Sequence, residues 1–105
     1  MTPLHAYELA LQITERMLGC ARAAQWDELV ALEKARGDAM DDIGRCDPDP
    51  GRDLTSRERK RTMLARMIVC DEEVATLTQD WMAELRQILT SADTRQKLDR
   101  TYRSG

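Results

Sequence analysis

The feature of this sequence that most constrains its fold is a long stretch, residues 56–92, that contains neither proline nor glycine. Apolar residues recur through it at steps of three and four, the spacing that places side chains on one face of an α-helix. The preceding segment, DPDPGRDLT at residues 47–55, is rich in residues that break helices and predicts a loop. Ser56 or Thr55 is the expected N-cap of the helix that follows. This helix is longer than the usual length of about 8 to 20 residues.

Two further helices are predicted ahead of the loop. Pro3, with Thr2 as its expected N-cap, starts an apolar pattern that continues to about residue 24. The pattern then shifts phase, and Asp27 is the expected N-cap of a second helix over residues 27–45. The chain is therefore predicted to be all-α, with an antiparallel three-helix bundle over residues 1–92 whose third helix is long.

Composition supports this fold and limits the classes of function. Aromatic residues make up 4% of the 105 residues, and helix-favouring residues such as Ala, Leu, Glu and Arg are abundant. The net charge of -3 gives no general attraction to nucleic acid or anionic lipid. No run reaches the roughly 20 apolar residues of a membrane helix, and the first residues do not resemble a signal peptide. We expect a cytoplasmic protein that neither binds nucleic acid nor inserts into a membrane.

The residue types that carry catalysis or bind metals form no recognisable site. His5 is the only histidine and lies in the first helical turn. Cys20, Cys46 and Cys70 are spaced too widely for a CxxC zinc site or a disulfide framework, and we expect them to be small buried residues. The acidic clusters of helices two and three lack the Glu-x-x-His motifs of di-metal bundles. We therefore predict that the protein is not an enzyme and uses no metal and no cofactor.

The predicted helix lengths do not match. Helices one and two would each be about 30 Å long and helix three about 54 Å. The surplus apolar surface at the end of helix three needs a cover: the C-terminal segment, a second copy in a homodimer, or a client. Alternatively, helix three bends or breaks near residues 76–80 and covers its own apolar face. We call the surface formed by Met82, Leu85 and Ile88 the overshoot surface. Trp81 and Leu89 lie beside it.

The C-terminal segment, residues 93–105, is polar except for Leu98 and Tyr102, which are four residues apart and share one helix face. Because it is too short to hold a helix unaided, we predict a short, mobile C-terminal helix with a regulatory role. A second unusual segment is the basic run at residues 57–61, at a helix start where the dipole disfavours positive charge. A solvated first turn, an acidic protein partner and a nucleic acid are the alternatives for this run.

Several short motifs occur together in the second and third helices and in the C-terminal segment. They are Trp26-Asp27-Glu28-Leu29 with Leu32-Glu33 and Arg36, Arg59 to Arg61 leading into Met63-Leu64, Ile68 with Asp71-Glu72-Glu73, and Tyr102. In these residues the chain resembles the flagellar export chaperone family FliT. The resemblance covers nearly the whole chain in length, helix order and loop position.

The resemblance implies a small cytoplasmic chaperone of type III flagellar export. Members of the family bind the C-terminal region of the filament-cap protein, FliD, prevent its premature assembly and deliver it to the export gate and the export ATPase complex. In some bacteria a member also restrains the flagellar master transcription regulator, although nothing in this sequence marks that role. The last helix of the family is thought to occlude a client groove, as we expect for Leu98 and Tyr102 here.

We predict that an amphipathic client helix binds an apolar groove between helices two and three. Arg36 falls on the apolar stripe of helix two, and Glu33, three residues before it, is a candidate ion-pair partner. We also expect Arg36 to fix the register of the client through an ion pair. Two other classes remain: a helical regulator of a transcription factor or nucleic acid, and an oligomeric adaptor that uses the overshoot surface. The predicted groove residues are Leu32, Arg36, Met40, Met63, Met67, Val74, Leu77 and Trp81.

Overall fold

In a computed structural model, the chain is described over residues 2–103, with side chains for residues 2–100. It forms three α-helices: α1 (Pro3–Arg22), α2 (Trp26–Cys46) and α3 (Leu54–Arg103). The described residues contain no strand, and the all-α prediction is confirmed. The helices have 20, 21 and 50 residues, so the mismatch in length is larger than the sequence predicted.

A tight turn joins α1 to α2. Ala24 has a φ of 56°, the left-handed conformation that commonly terminates helices, and the amide of Gln25 donates to the carbonyl of Cys20 at 2.8 Å. This closure lets α2 begin at Trp26 with Gln25 in the N-cap position. The prediction that Asp27 caps this helix is therefore wrong. Asp27 lies in the first turn instead, where its charge is favoured by the helix dipole.

The start of α3 is fixed by Asp53. Its carboxylate accepts hydrogen bonds from the Thr55 amide at 3.1 Å and from the hydroxyls of Thr55 and Ser56 at 2.7 and 2.9 Å. These bonds hold the pKa of Asp53 below its ordinary value, and those from the hydroxyls of Thr55 and Ser56 lower it most. The prediction that Thr55 or Ser56 is the N-cap is therefore wrong. Both residues donate hydrogen bonds to the cap, Asp53, which lies one residue before the helix.

The end of α3 differs from the prediction. The sequence placed the end of the third helix near residue 92 and a separate short helix after it, whereas α3 continues through Arg103. It is also uninterrupted over residues 76–80, where a break was the alternative. Residues 54–103 contain no proline or glycine, and extending an existing helix is far easier than nucleating a new one. The polar C-terminal segment therefore continues the helix.

The chain divides into two compact units, Met1–Ala75 and Thr76–Gly105, which we call the bundle unit and the C-terminal unit. In the bundle unit, Tyr7 near the start of α1 contacts Asp47 just after α2, and Cys20 near the end of α1 contacts Glu28 near the start of α2. These contacts make α1 and α2 antiparallel. The predicted antiparallel arrangement is confirmed for this pair.

Within the bundle unit, α3 runs parallel to α1 and antiparallel to α2. Glu15 pairs with Arg66 and Arg22 pairs with Glu73, so both helices advance in the same direction. The core between the three helices contains several alanines, whose small side chains let helix axes approach closely. One core cluster consists of Ala6, Tyr7, Ala10, Ala39, Ile43 and Met67.

The three cysteines are free thiols. Cys20 and Cys70 are buried, which confirms their expected place as small interior residues, whereas Cys46 is only half-buried. Among the described residues, none of the helices has the length and apolar character that crossing a membrane requires.

Candidate protein-binding surfaces

Arg36, which the sequence placed on an apolar stripe, joins all three helices. Its Nη1 and Nη2 donate to the two carboxylate oxygens of Asp71 on α3, each at 2.6 Å, and Nη1 also donates to Thr14 Oγ1 on α1 at 3.0 Å. The hydrogen bond to Asp71 raises the pKa of Arg36 above its ordinary value. Such a two-pronged pair fixes orientation as well as distance. The ion-pair partner of Arg36 is thus Asp71 and not the predicted Glu33.

The predicted groove residues of the bundle unit differ in how deeply they are buried. Met67 and Val74 are buried, and Met67 belongs to the core cluster. Leu32 and Met63 are half-buried, and Met40 is exposed over 37% of its surface. Leu32, Met40 and Met63 are therefore the ones among these apolar residues that a client could reach without displacing the core.

The C-terminal unit presents a series of apolar side chains. Leu77, Trp81 and Leu85 are half-buried, whereas Met82 and Ile88 are exposed. The overshoot surface thus combines two exposed residues and one half-buried one. Leu89 and Leu98 are also exposed, and the side chain of Tyr102 lies outside the described part of the chain.

Sequence reasoning missed a buried polar cluster beside the loop. Lys60, only 4% exposed, pairs with Asp47 Oδ2 at 2.9 Å and donates to the Pro50 carbonyl at 3.4 Å. The Tyr7 hydroxyl donates to the same carboxylate oxygen at 2.9 Å. Burial first, and then this bond and the charge of Asp47, raise the pKa of Tyr7 to about 12. The cluster ties the loop to α1 and α3.

A signal for this cluster was present in the sequence. Lys60 lies three and seven residues before Met63 and Met67, so it shares their helix face. The burial of Lys60 was not predicted, because it stands within the basic run at residues 57–61 and such a run is typical of a solvated surface. Among residues 2–103, no group of three or more His, Cys, Asp or Glu side chains lies close enough together to hold a metal ion.

Comparison with known proteins identifies the family. The family model for the flagellar protein FliT matches residues 4–104. The flagellar protein FliT of Citrobacter koseri is 32% identical over 102 residues, which cover 97% of this chain and 82% of that protein. The flagellar protein FliT of Photorhabdus laumondii is 28% identical over the same length and with the same coverage.

A third relative, the flagellar protein FliT of Escherichia coli, is 27% identical over 97 residues, which cover 92% of this chain and 80% of the relative. No significantly similar solved structure was found. The family-model match covers α2, α3 and all of α1 except Pro3. The chain therefore belongs to the flagellar protein FliT family.

Proposed function

We propose that this protein is a cytoplasmic, non-enzymatic chaperone of type III flagellar export. Its client is the C-terminal helical region of the filament-cap protein, FliD, which it keeps from assembling prematurely. It then delivers the client to the export gate and the export ATPase complex. Membership of a flagellar family supports the cellular setting, and the exposed apolar side chains of α3 support the binding role.

The observation that carries the proposal is the apolar surface of the C-terminal unit. Met82, Ile88 and Leu89 are 42%, 59% and 58% exposed. Clustered apolar exposure of this kind is a liability in water and commonly marks a protein-binding surface. Because these residues lie along one helix, an amphipathic client helix is the occupant that fits them best. The overshoot surface is thus assigned to client binding.

In the bundle unit, the proposal assigns client contacts to Leu32, Met40 and Met63, which are at least partly accessible. Met67 and Val74 support the surface from within the core, and Arg36 holds α2 in place by its bond to α3. Leu77 and Trp81 complete the set in the C-terminal unit. Methionine suits such surfaces because its flexible side chain adapts to different partners.

The test is calorimetric titration of the full chain with a peptide from the C-terminal region of FliD. Ile88→Asp places a charge on the overshoot surface, and we expect it to weaken binding about tenfold or more. Val30→Asp is the matched control, since Val30 on α2 is 65% exposed and outside the proposed surface. Absence of binding by the wild-type chain, or equal losses in the two variants, contradicts the proposal.

The proposal also assigns Leu98 and Tyr102 to an autoinhibitory segment that competes with the client. Deletion of residues 94–105 removes an intramolecular competitor and is expected to tighten client binding in the same titration. A chain with Leu98→Ser and Tyr102→Ser keeps the segment but removes its apolar side chains, and should behave like the deletion. Unchanged or weaker affinity in both variants excludes autoinhibition while leaving the chaperone proposal intact.

A further inference from the structure

A concave surface lies in the bundle unit, on a face of α3 that the client proposal does not use. It has a volume of about 380 Å³ and is bordered by the loop at Pro50 and by α3. Tyr7 and Lys60 of the buried polar cluster also line it. We call the apolar lining residues Leu64, Ala65 and Ile68 its floor, and the arginines Arg57 and Arg61 its rim. We call it the basic-rimmed groove.

The floor of this groove is apolar and open to solvent. Ile68 is 58% exposed and Leu64 is 37% exposed, whereas the adjacent Met67 is only 3% exposed. Leu64 and Ile68 are four residues apart and therefore lie on one helix face. This face is separate from the face that packs into the core. The bundle unit thus leaves a second apolar stripe of α3 uncovered.

The rim carries uncompensated positive charge. Arg57 and Arg61 are exposed, and within the described part of the chain neither has an ion-pair partner, unlike Lys60, which is neutralised by Asp47. Two like charges four residues apart repel each other, and their place in the first turns of α3 opposes the helix dipole. The positive rim also contrasts with the net charge of -3 of the whole chain. A negatively charged partner would relieve both repulsions.

The charge of the C-terminal segment argues against it as the occupant. Residues 93–103 contain four basic side chains, Arg95, Lys97, Arg100 and Arg103, and two acidic ones, Asp93 and Asp99, which gives a net charge of +2. Such a segment is repelled by an arginine rim. A nucleic acid would satisfy the arginines, but its phosphates offer nothing to the aliphatic floor.

We propose that the basic-rimmed groove binds an amphipathic helix of another protein, one whose apolar stripe is flanked by Asp and Glu. The apolar stripe of the partner covers Leu64 and Ile68, and its carboxylates pair with Arg57 and Arg61. Bidentate arginine pairs with carboxylates give such an interface a defined register. The groove goes beyond the proposed client surface and provides a place for a second protein.

The probes are two synthetic helical peptides of about 18 residues that carry the same leucine stripe. In one peptide the stripe is flanked by Glu, and in the other by Lys. Fluorescence anisotropy with the full chain should show the Glu peptide binding about tenfold more tightly than the Lys peptide. Ile68→Asp should weaken binding of the Glu peptide about tenfold or more, because it removes the apolar floor.

A charge reversal locates the effect. The double variant Arg57→Glu, Arg61→Glu should lose the Glu peptide and gain the Lys peptide. The matched control, Arg16→Glu with Lys34→Glu, makes the same change in net charge at exposed positions of α1 and α2 outside the groove, and should keep the wild-type preference. Ile88→Asp should also keep it, which separates this test from that of the client surface. Circular dichroism confirms that each variant is folded.

Four results would overturn the proposal. The first is equal binding of the two peptides, and the second is an equal loss in the groove variant and in the charge-matched control. The third is binding of a 20-base-pair DNA duplex that depends on Arg57 and Arg61 and exceeds binding of the Glu peptide. The fourth is a concentration-dependent dimer that Ile68→Asp abolishes, since the groove would then be an interface between two copies.

Discussion

In the bundle unit, the core-facing apolar positions of α3 are buried together with residues of α1 and α2, whereas in the C-terminal unit many apolar positions of the same helix are exposed. Met67 is 3% exposed in the first and Met82 is 42% exposed in the second. The apolar spacing continues with little change from one unit to the other. Periodicity therefore indicates a helix with an apolar face, but not what covers that face.

Polar contacts also hold the bundle unit together. Its ion pairs join one helix to another, as Arg36 with Asp71 does, or a helix to the loop, as Lys60 with Asp47 does. Each ion pair fixes the position of one helix relative to another helix or to the loop. It does so more specifically than apolar packing alone, because its hydrogen bonds are directional. We therefore expect substitutions of buried or ion-paired residues of the bundle unit to lower the free energy of unfolding, and substitutions on the overshoot surface to affect binding.

The sharpest test uses two methionines of α3. Met67→Ala removes a buried side chain and leaves a cavity, so we expect the free energy of unfolding to fall by about 3 kcal/mol. Met82→Ala, with the same chemical change at an exposed position, should alter it by less than about 0.5 kcal/mol. Urea denaturation followed by circular dichroism measures both. Similar losses in the two variants would show that the C-terminal unit is as tightly packed as the bundle.

The next effect concerns pH and Tyr7. The folded-state pKa of Tyr7, about 12, exceeds the ordinary value of 10.0. The contribution of Tyr7 to the free energy of unfolding is therefore complete below pH 10 and is lost as the pH rises through 12. A shift of this size corresponds to about 2 to 3 kcal/mol. Urea denaturation at pH 9 and at pH 11 should show part of this loss. The decrease in the free energy of unfolding should disappear in Tyr7→Phe and persist in Tyr102→Phe. Any other outcome would show that Tyr7 does not cause it.

A smaller effect is expected for the ion pair of Arg36. A double-mutant cycle with Arg36→Met and Asp71→Leu should give a coupling free energy of about 1 to 2 kcal/mol, because the pair is partly buried and has two hydrogen bonds. The pair of Arg22 with Glu73 is the control, since its arginine is 61% exposed, against 21% for Arg36. Its coupling should be smaller and more sensitive to salt. Equal couplings would show that burial does not strengthen the pair of Arg36.

Sequence alone could predict features that depend on neighbouring residues. The capping of α1 by Thr2, which accepts a hydrogen bond from the His5 amide at 3.3 Å, follows from its place before Pro3. The loop after α2 follows from its prolines and glycine. The choice of cap for α3 was harder, because Asp53, Thr55 and Ser56 are all good capping residues and only the backbone geometry decides among them.

Features that depend on distant residues could not be predicted in this way. Arg36 and Asp71 are 35 positions apart, and Lys60 and Asp47 are joined only when the loop folds back. The pattern placed Arg36 on the interior face correctly but favoured the local partner, Glu33. The predicted client residues divide similarly: spacing grouped Met67 with Met63, whereas packing buries Met67 more deeply.

Because two of the three thiols are buried, the rates at which they react with a thiol reagent report on the opening of the bundle. A thiol reagent reaches half-buried Cys46 in the native state, but it reaches Cys70, with 0% of its surface exposed, only when α3 separates from its neighbours. Cys20 reports in the same way on the end of α1 next to the turn. The order and rates at which the three sulfurs react therefore record which helix departs first, with no label introduced by mutation.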